Sequence, residues 1–181
     1  MPKVDRRILK SQAALKKAII ELMSEKSFDD ITIQDISDRA NVSRGTIYLH
    51  YIDRFDLLDK LIETHINELR EMCEAAAELD YINATLIWFE YFESNYLFFS
   101  TMLASKGAPY FRSRFLDLLL ELFKKEVDVT AGINHGLNEN LVNHFFASAY
   151  VGLVEWWFAN GMPFPPKVMA EQVGILLERN L

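Results

Sequence analysis

Apolar positions recur along this chain at three- and four-residue intervals, the spacing of one face of a helix. From about Asp5 to Lys26, the residues Leu15, Ala18, Ile19, Leu22 and Met23 form one such stripe, and Phe28 and Ile31 anchor the connection that follows. Ile33, Ile36 and Ala40 predict a second helix from about Thr32 to Arg39, with the Thr32 hydroxyl as its N-cap. Asn41 and Val42 make a tight turn, where Asn tolerates a left-handed backbone better than any residue except Gly. Ser43 caps a third helix with Ile47 facing inward, and small Ala40 sits where the second and third helices approach. Asp53 is placed as the N-cap of a long fourth helix reaching about Glu78. Its predicted apolar face is Phe55, Leu58, Leu61, Ile62, Ile66 and Leu69.

Past a polar break at Asp80 to Asn83, the pattern predicts helices over about 82–93 and 95–105, interrupted at Ser94 or Asn95. Lys106-Gly107-Ala108-Pro109 reads as a loop, combining a C-cap Gly with a Pro near the next helix start. A seventh helix follows to about Val127, with Phe111, Phe115, Leu118, Leu119, Leu122 and Phe123 as its stripe, and then a loop to Gly136. The eighth, about Asn138 to Asn160 and closed by Gly161, is apolar on more than one face and must be covered on most sides. A Pro-rich turn, Met162 to Pro166, leads into a last helix from about Lys167 to Arg179. The fold class is therefore all-α, with about nine helices. A three-helix domain over 1–52 carries a helix-turn-helix, and a larger helical domain spans 53–181.

A helix-turn-helix pushes its second helix into the major groove of DNA. Here the outward residues of that helix are Ser43, Arg44, Gly45, Thr46, Tyr48 and His50, a face rich in hydrogen-bond donors. Gly45 costs about 1 kcal/mol inside a helix, which makes sense if it lets a duplex backbone come close. Arg6, Arg7 and Lys10 at the start of the first helix form a basic arm able to follow a phosphate or enter the minor groove.

A net charge of −7 looks wrong for a DNA binder until it is mapped along the chain. Residues 1–60 hold eleven Lys/Arg against ten Asp/Glu, whereas 61–181 hold eight against sixteen, so the acidity lies outside the DNA-reading part. Local potential decides whether phosphate is attracted. Half the residues are hydrophobic and Gly and Pro are few, which favours a buried helical globule over disorder. No apolar run approaches a membrane span, MPKVDRR is no signal peptide, and single Cys73 fits a reducing cytoplasm, so no membrane association is expected. His50, His65, His135 and His144 lack metal-ligand spacing, and neither a phosphate-cradling Gly-rich loop nor a nucleophile elbow is present. No enzyme, cofactor or metal is expected.

The stretch from Ile31 to Leu58, above all VSRGTIYLHY followed by DRFDLL, resembles the TetR/AcrR family of one-component transcriptional regulators. The specific match covers about the first sixty residues and weakens beyond them to a pattern of amphipathic helices. Asn41 stands where the family commonly has Gly, Ser37 where it has Ala, Tyr51 where it has Phe, and Arg54 where it has Lys. The resemblance implies a dimeric, ligand-responsive regulator, most often a repressor, on a palindromic double-stranded operator. Arg44, Thr46, Tyr48 and His50 would touch base edges or phosphates, and Ser43, Arg54 and the Thr32 cap would position the reading helix through phosphates. It further implies a small-molecule effector, apolar or amphipathic. Candidates for its pocket lining are Trp88, Phe92, Met102, Phe115, Phe146, Tyr150 and Trp157, with His65 as a polar anchor. The last two helices would meet their copies across a two-fold axis, through Phe145, Ala149, Gly152, Leu153, Trp156 and Val173. The rival reading is a fold of this kind acting as a coactivator or protein-interaction subunit that has lost operator recognition.

Overall fold

The structure is a computed structural model, and it describes residues 6–104 and 109–181. The loop predicted at Lys106 to Ala108 and the helix start at Asp5 lie outside the described residues. Nine α-helices and no strand occur among the described residues. None of these helices is long and apolar enough to cross a membrane. The chain divides into two compact units between His65 and Ile66, inside the fourth helix, whereas the sequence pattern places its boundary at that helix's start.

In the first unit, α1 (Arg6–Glu25) buries Leu15, Ala18, Ile19, Leu22 and Met23, the stripe its spacing predicts. A short 3-10 turn, Phe28–Asp30, leads to buried Ile31 and then to α2 (Ile33–Ala40). The α2 start is a reciprocal capping box. The Thr32 hydroxyl accepts from the Asp35 amide at 3.1 Å, and the Asp35 carboxylate accepts from the Thr32 amide at 2.8 Å. Asn41 ends α2 in the left-handed conformation, with φ 52°. Ala40 is half-exposed. Ser37 is buried, and its hydroxyl donates to the Val42 carbonyl at 2.6 Å, fastening the turn. Arg39 ties α2 back to α1 through Glu25 at 2.7 Å and Glu21 at 3.4 Å.

The next helices are α3 (Arg44–Tyr48) and α4 (Arg54–Ala75). Asp53 caps α4 as predicted, accepting from the Asp56 amide at 2.8 Å. Its apolar face needs correction. Phe55 is exposed and Leu58 half-exposed, and Leu57 is the fully buried residue, together with Leu61 and Ile62. Only the first turn departs from the spacing: Leu57 takes the inward place expected of Leu58, and Phe55 packs on Phe28 (ring centroids 5.2 Å apart), while Leu61, Ile62, Ile66 and Leu69 are buried as predicted.

The second unit contains the end of α4, α5 (Tyr81–Ser94), α6 (Tyr96–Ala104), α7 (Pro109–Phe123), α8 (Glu139–Ala159) and α9 (Pro166–Asn180). Asp80 caps α5 and Asn138 caps α8, each accepting from a backbone amide of the first turn. Asn95 interrupts α5 and α6, its side-chain amide donating to the Tyr91 carbonyl at 3.0 Å. Gly161, at φ 68°, ends α8, and the Met162 amide returns to the Trp157 carbonyl at 2.8 Å. The core is aromatic. Phe89 meets Trp157 edge-on at 5.1 Å, Phe92 meets Phe99 at 4.8 Å, and Phe111 stacks on Phe115 at 5.9 Å. Helices α5 and α9 approach so closely that a Cβ at Gly174 would lie 2.6 Å from the Cα of Ile82.

Candidate nucleic-acid interface

The reading helix is set in place by three local devices. Ser43 holds an extended backbone and its hydroxyl accepts from the Thr46 amide at 3.1 Å. Ile47, with no accessible surface, pins the opposite side of α3 to the core of the first unit. The turn then closes as the Tyr51 amide donates to the Ile47 carbonyl at 2.9 Å, with Tyr51 itself buried. Held this way, α3 turns Ser43, Arg44, Gly45 and Tyr48 to solvent, with Thr46 and His50 half-exposed beside them.

The chemistry of these groups differs residue by residue. Arg44 makes no ion pair or hydrogen bond among the described residues, in contrast to Arg39, whose charge is matched by two glutamates. The Ser43 and Thr46 hydroxyls bond each other at 2.9 Å, so one of the two protons is engaged within the helix. The Thr32 hydroxyl donates to Asp35 at 2.8 Å as well as capping α2, which leaves it no proton for a phosphate. A Cβ at Gly45 would meet only the Ser43 hydroxyl, at an ordinary 3.6 Å. Nothing within the protein therefore requires glycine there. Arg6, Arg7 and Lys10 are all exposed on the first turns of α1.

Arg54 has a different job from the predicted phosphate contact. Its Nη1 donates to the carbonyls of Phe28 at 3.0 Å and Asp29 at 2.9 Å, and to that of Ile31. The guanidinium also lies about 5 Å from the centroids of Phe28 and Phe55. It clamps the turn before α2 to the start of α4. Two residues that sequence reasoning passed over are Leu49 (80% exposed) and Ile52 (81%), which follow α3 directly. The available signal was that neither fits the inward spacing set by Ile47 and Leu57.

In the second unit, a cavity of about 470 Å³ opens among the ends of α4 and α7, the start of α5, α8 and α9. Trp88 and Tyr150 line it. Phe92, Phe115 and Trp157 keep no accessible surface and Met102 keeps 1%, and none of the four lines this cavity. The rings of Phe92, Phe115 and Trp157 are packed against other rings. Phe146 packs on Phe145 and Phe123, and His65 is buried in the first unit; neither lines this cavity. Of the residues expected at a dimer contact, Phe145 (68% exposed), Ala149 and Trp156 (44%) lie on the outer face of α8, with Gly152 and Leu153 half-buried. Val173 is instead buried on the inner face of α9.

Comparison with known proteins agrees with this architecture. Residues 15–61 match the bacterial regulatory proteins of the tetR family, and residues 80–179 match a transcriptional regulator C-terminal region. The chain is 24% identical over 176 residues to the HTH-type transcriptional regulator YxbF of Bacillus subtilis, covering 93% of this chain and 45% of that protein. Over 48 residues it is 35% identical to the biofilm operon negative regulator IcaR of Staphylococcus epidermidis, covering 26% of each. The chain thus spans less than half the length of these curated relatives. In structure it resembles a TetR transcriptional regulator from Streptococcus agalactiae, with TM-score 0.72, 25% identity and 96% of both chains covered. A capped helix-turn-helix with an outward reading helix, joined to a helical second unit that matches along most of its length, establishes that this chain belongs to the TetR family of transcriptional regulators, which are not enzymes.

Proposed function

We propose that the protein acts as a homodimeric repressor that binds a palindromic operator and is released by a small-molecule effector held in the second unit. The observation that carries the reading is the state of α3. Arg44 and Tyr48 project from a helix anchored by Ile47, and neither is engaged elsewhere in the first unit. In this reading Arg44, Tyr48 and Thr46 meet base edges or phosphates, and the exposed Arg6, Arg7 and Lys10 add sequence-independent attraction. Gly45 admits the sugar-phosphate backbone. Leu49 joins the polar readers as an apolar contact of the kind that thymine methyls make.

One five-residue helix reads too few base pairs for adequate affinity, so two copies acting on half-sites about 34 Å apart are needed. The exposed apolar face of α8 supports that pairing, with Leu141, Phe145, Ala149 and Trp156 along one side. The division between the units falls within α4, and an effector that favours one conformer would act through it. The effector's leverage is its preference for one conformer over the other.

The test is selection of bound duplexes from a random pool, followed by titration of the enriched sequence against Arg44→Ala and Tyr48→Phe. A palindromic motif whose affinity falls steeply with salt and collapses in these variants supports the proposal. Absence of any enriched motif establishes the protein-interaction reading instead.

A further inference from the structure

The cavity of the second unit has a floor and a rim of opposite character. Its floor is Thr85, Trp88, Leu119, Phe123 and Tyr150, each less than a tenth exposed. Its rim is exposed and carries the charges of Glu74, Asp80, Glu126 and Lys125, three carboxylates against one ammonium. Two observations mark the space as a ligand site rather than a packing defect. Tyr150 is 5% exposed, lines the cavity, and its hydroxyl has no hydrogen-bond partner among the described residues. The hydroxyl is not sealed off from the cavity, so its donor and acceptor are open to a polar atom of a bound molecule. The local field is also negative. Burial, followed by Glu126, pushes the Cys73 thiol up, against a smaller opposing effect of Lys125. The whole stretch 61–181 has the same sign, with sixteen acidic side chains against eight basic ones.

We propose that this cavity takes an amphipathic cation, a compact apolar body bearing an ammonium-type head. The body fills the space against Trp88, Leu119 and Phe123, the head lies at the rim between Glu74 and Glu126, and any polar atom on the body meets Tyr150. A volume of 470 Å³ falls within the range of drug-sized ligand sites. The rim carboxylates favour a cationic head over a neutral one and disfavour an anion. The inference names the class of effector and rests on the reading that the second unit binds one.

Three probes with one tail separate the two ideas: decyltrimethylammonium, decanol and decanoate, titrated below micelle formation into the full chain by calorimetry and tryptophan fluorescence. The cation is expected to bind about tenfold more tightly than decanoate. In Glu74→Gln/Glu126→Gln, a surface double variant, that gap should shrink to about twofold, and Ala84→Phe, which fills the cavity, should abolish binding of all three. Melting curves verify that both variants fold. If the anion or the alcohol binds as well as the cation, the cationic assignment is overturned and the effector site stands. If none of the three binds, or if Ala84→Phe leaves binding intact, the cavity is not the effector site and both ideas fall.

Discussion

Arg44 and Arg54 carry the same guanidinium and do opposite things, and the difference is what surrounds each. Arg54 is held by three backbone carbonyls and two aromatic rings, so Arg54→Ala is expected to lower stability by about 1–3 kcal/mol, read as a drop in melting temperature. Arg44 is exposed and makes no hydrogen bond or ion pair among the described residues, so Arg44→Ala should leave the melting curve in place. It should instead reduce the slope of log affinity against log salt by about one. Gly45 makes the converse case. With a helical backbone and only an ordinary 3.6 Å contact to the Ser43 hydroxyl awaiting a Cβ, Gly45→Ala should raise the stability of the free protein by about 0.5–1 kcal/mol. The same methyl should weaken operator binding at least tenfold, because it occupies the gap that a phosphate backbone needs. An alanine variant that binds at full strength would mean that no duplex backbone comes close to that position.

At the scale of elements, what matters is how helices begin and how near they come. The capping box of α2 places the Asp35 carboxylate against the Thr32 amide, the Lys26 ammonium and the Thr32 hydroxyl, which lower its pKa from 3.8 to about 2. A carboxyl held below its unfolded value contributes stability above that value, and the contribution is lost as pH falls through the folded one. Asp35 therefore supports the fold above about pH 4 and ceases to between about pH 3.8 and 2. Melting curves across that range should show a smaller dependence on pH in Asp35→Asn than in the parent. Further along, α9 crosses α5 with Gly174 facing the backbone of Ile82. A methyl there meets main chain, which cannot rotate aside, so Gly174→Ala should cost about 1–3 kcal/mol, measured by chemical denaturation. A neutral result would mean that the two helices separate freely.

For the whole molecule the question is what covers α8. Its inner side buries Val142, Ala147, Tyr150, Val151, Val154, Trp157 and Phe158, while Leu141, Phe145 and Trp156 stay in contact with solvent. Large apolar side chains aligned on one helix face mark an association surface. Phe145→Glu is expected to convert a dimer into a monomer in analytical ultracentrifugation without lowering helix content. It should also reduce operator affinity by orders of magnitude, since each half-site is then read alone. A variant that stays dimeric would move the interface elsewhere.

The local grammar of the chain was legible in its residues. Thr32, Ser43, Asp53 and Asn138 cap helices because a side-chain oxygen needs only the amide a turn away. Asn41 turns left-handed because the chain must reverse within two residues and Asn tolerates that backbone, and the polar side of α3 faces out because Ile47 must face in. These outcomes depend on residues a few positions apart, so a linear string contains them. What only the tertiary structure decided depends on distant partners. That Phe55 lies against Phe28 rather than in the core, and that Arg54 binds carbonyls more than twenty residues away, follow from partners distant in the chain. Which aromatics are core, cavity wall or outer face was hidden in the sequence. On helices as apolar as α5 and α8, all sides look alike until a neighbouring helix covers one of them.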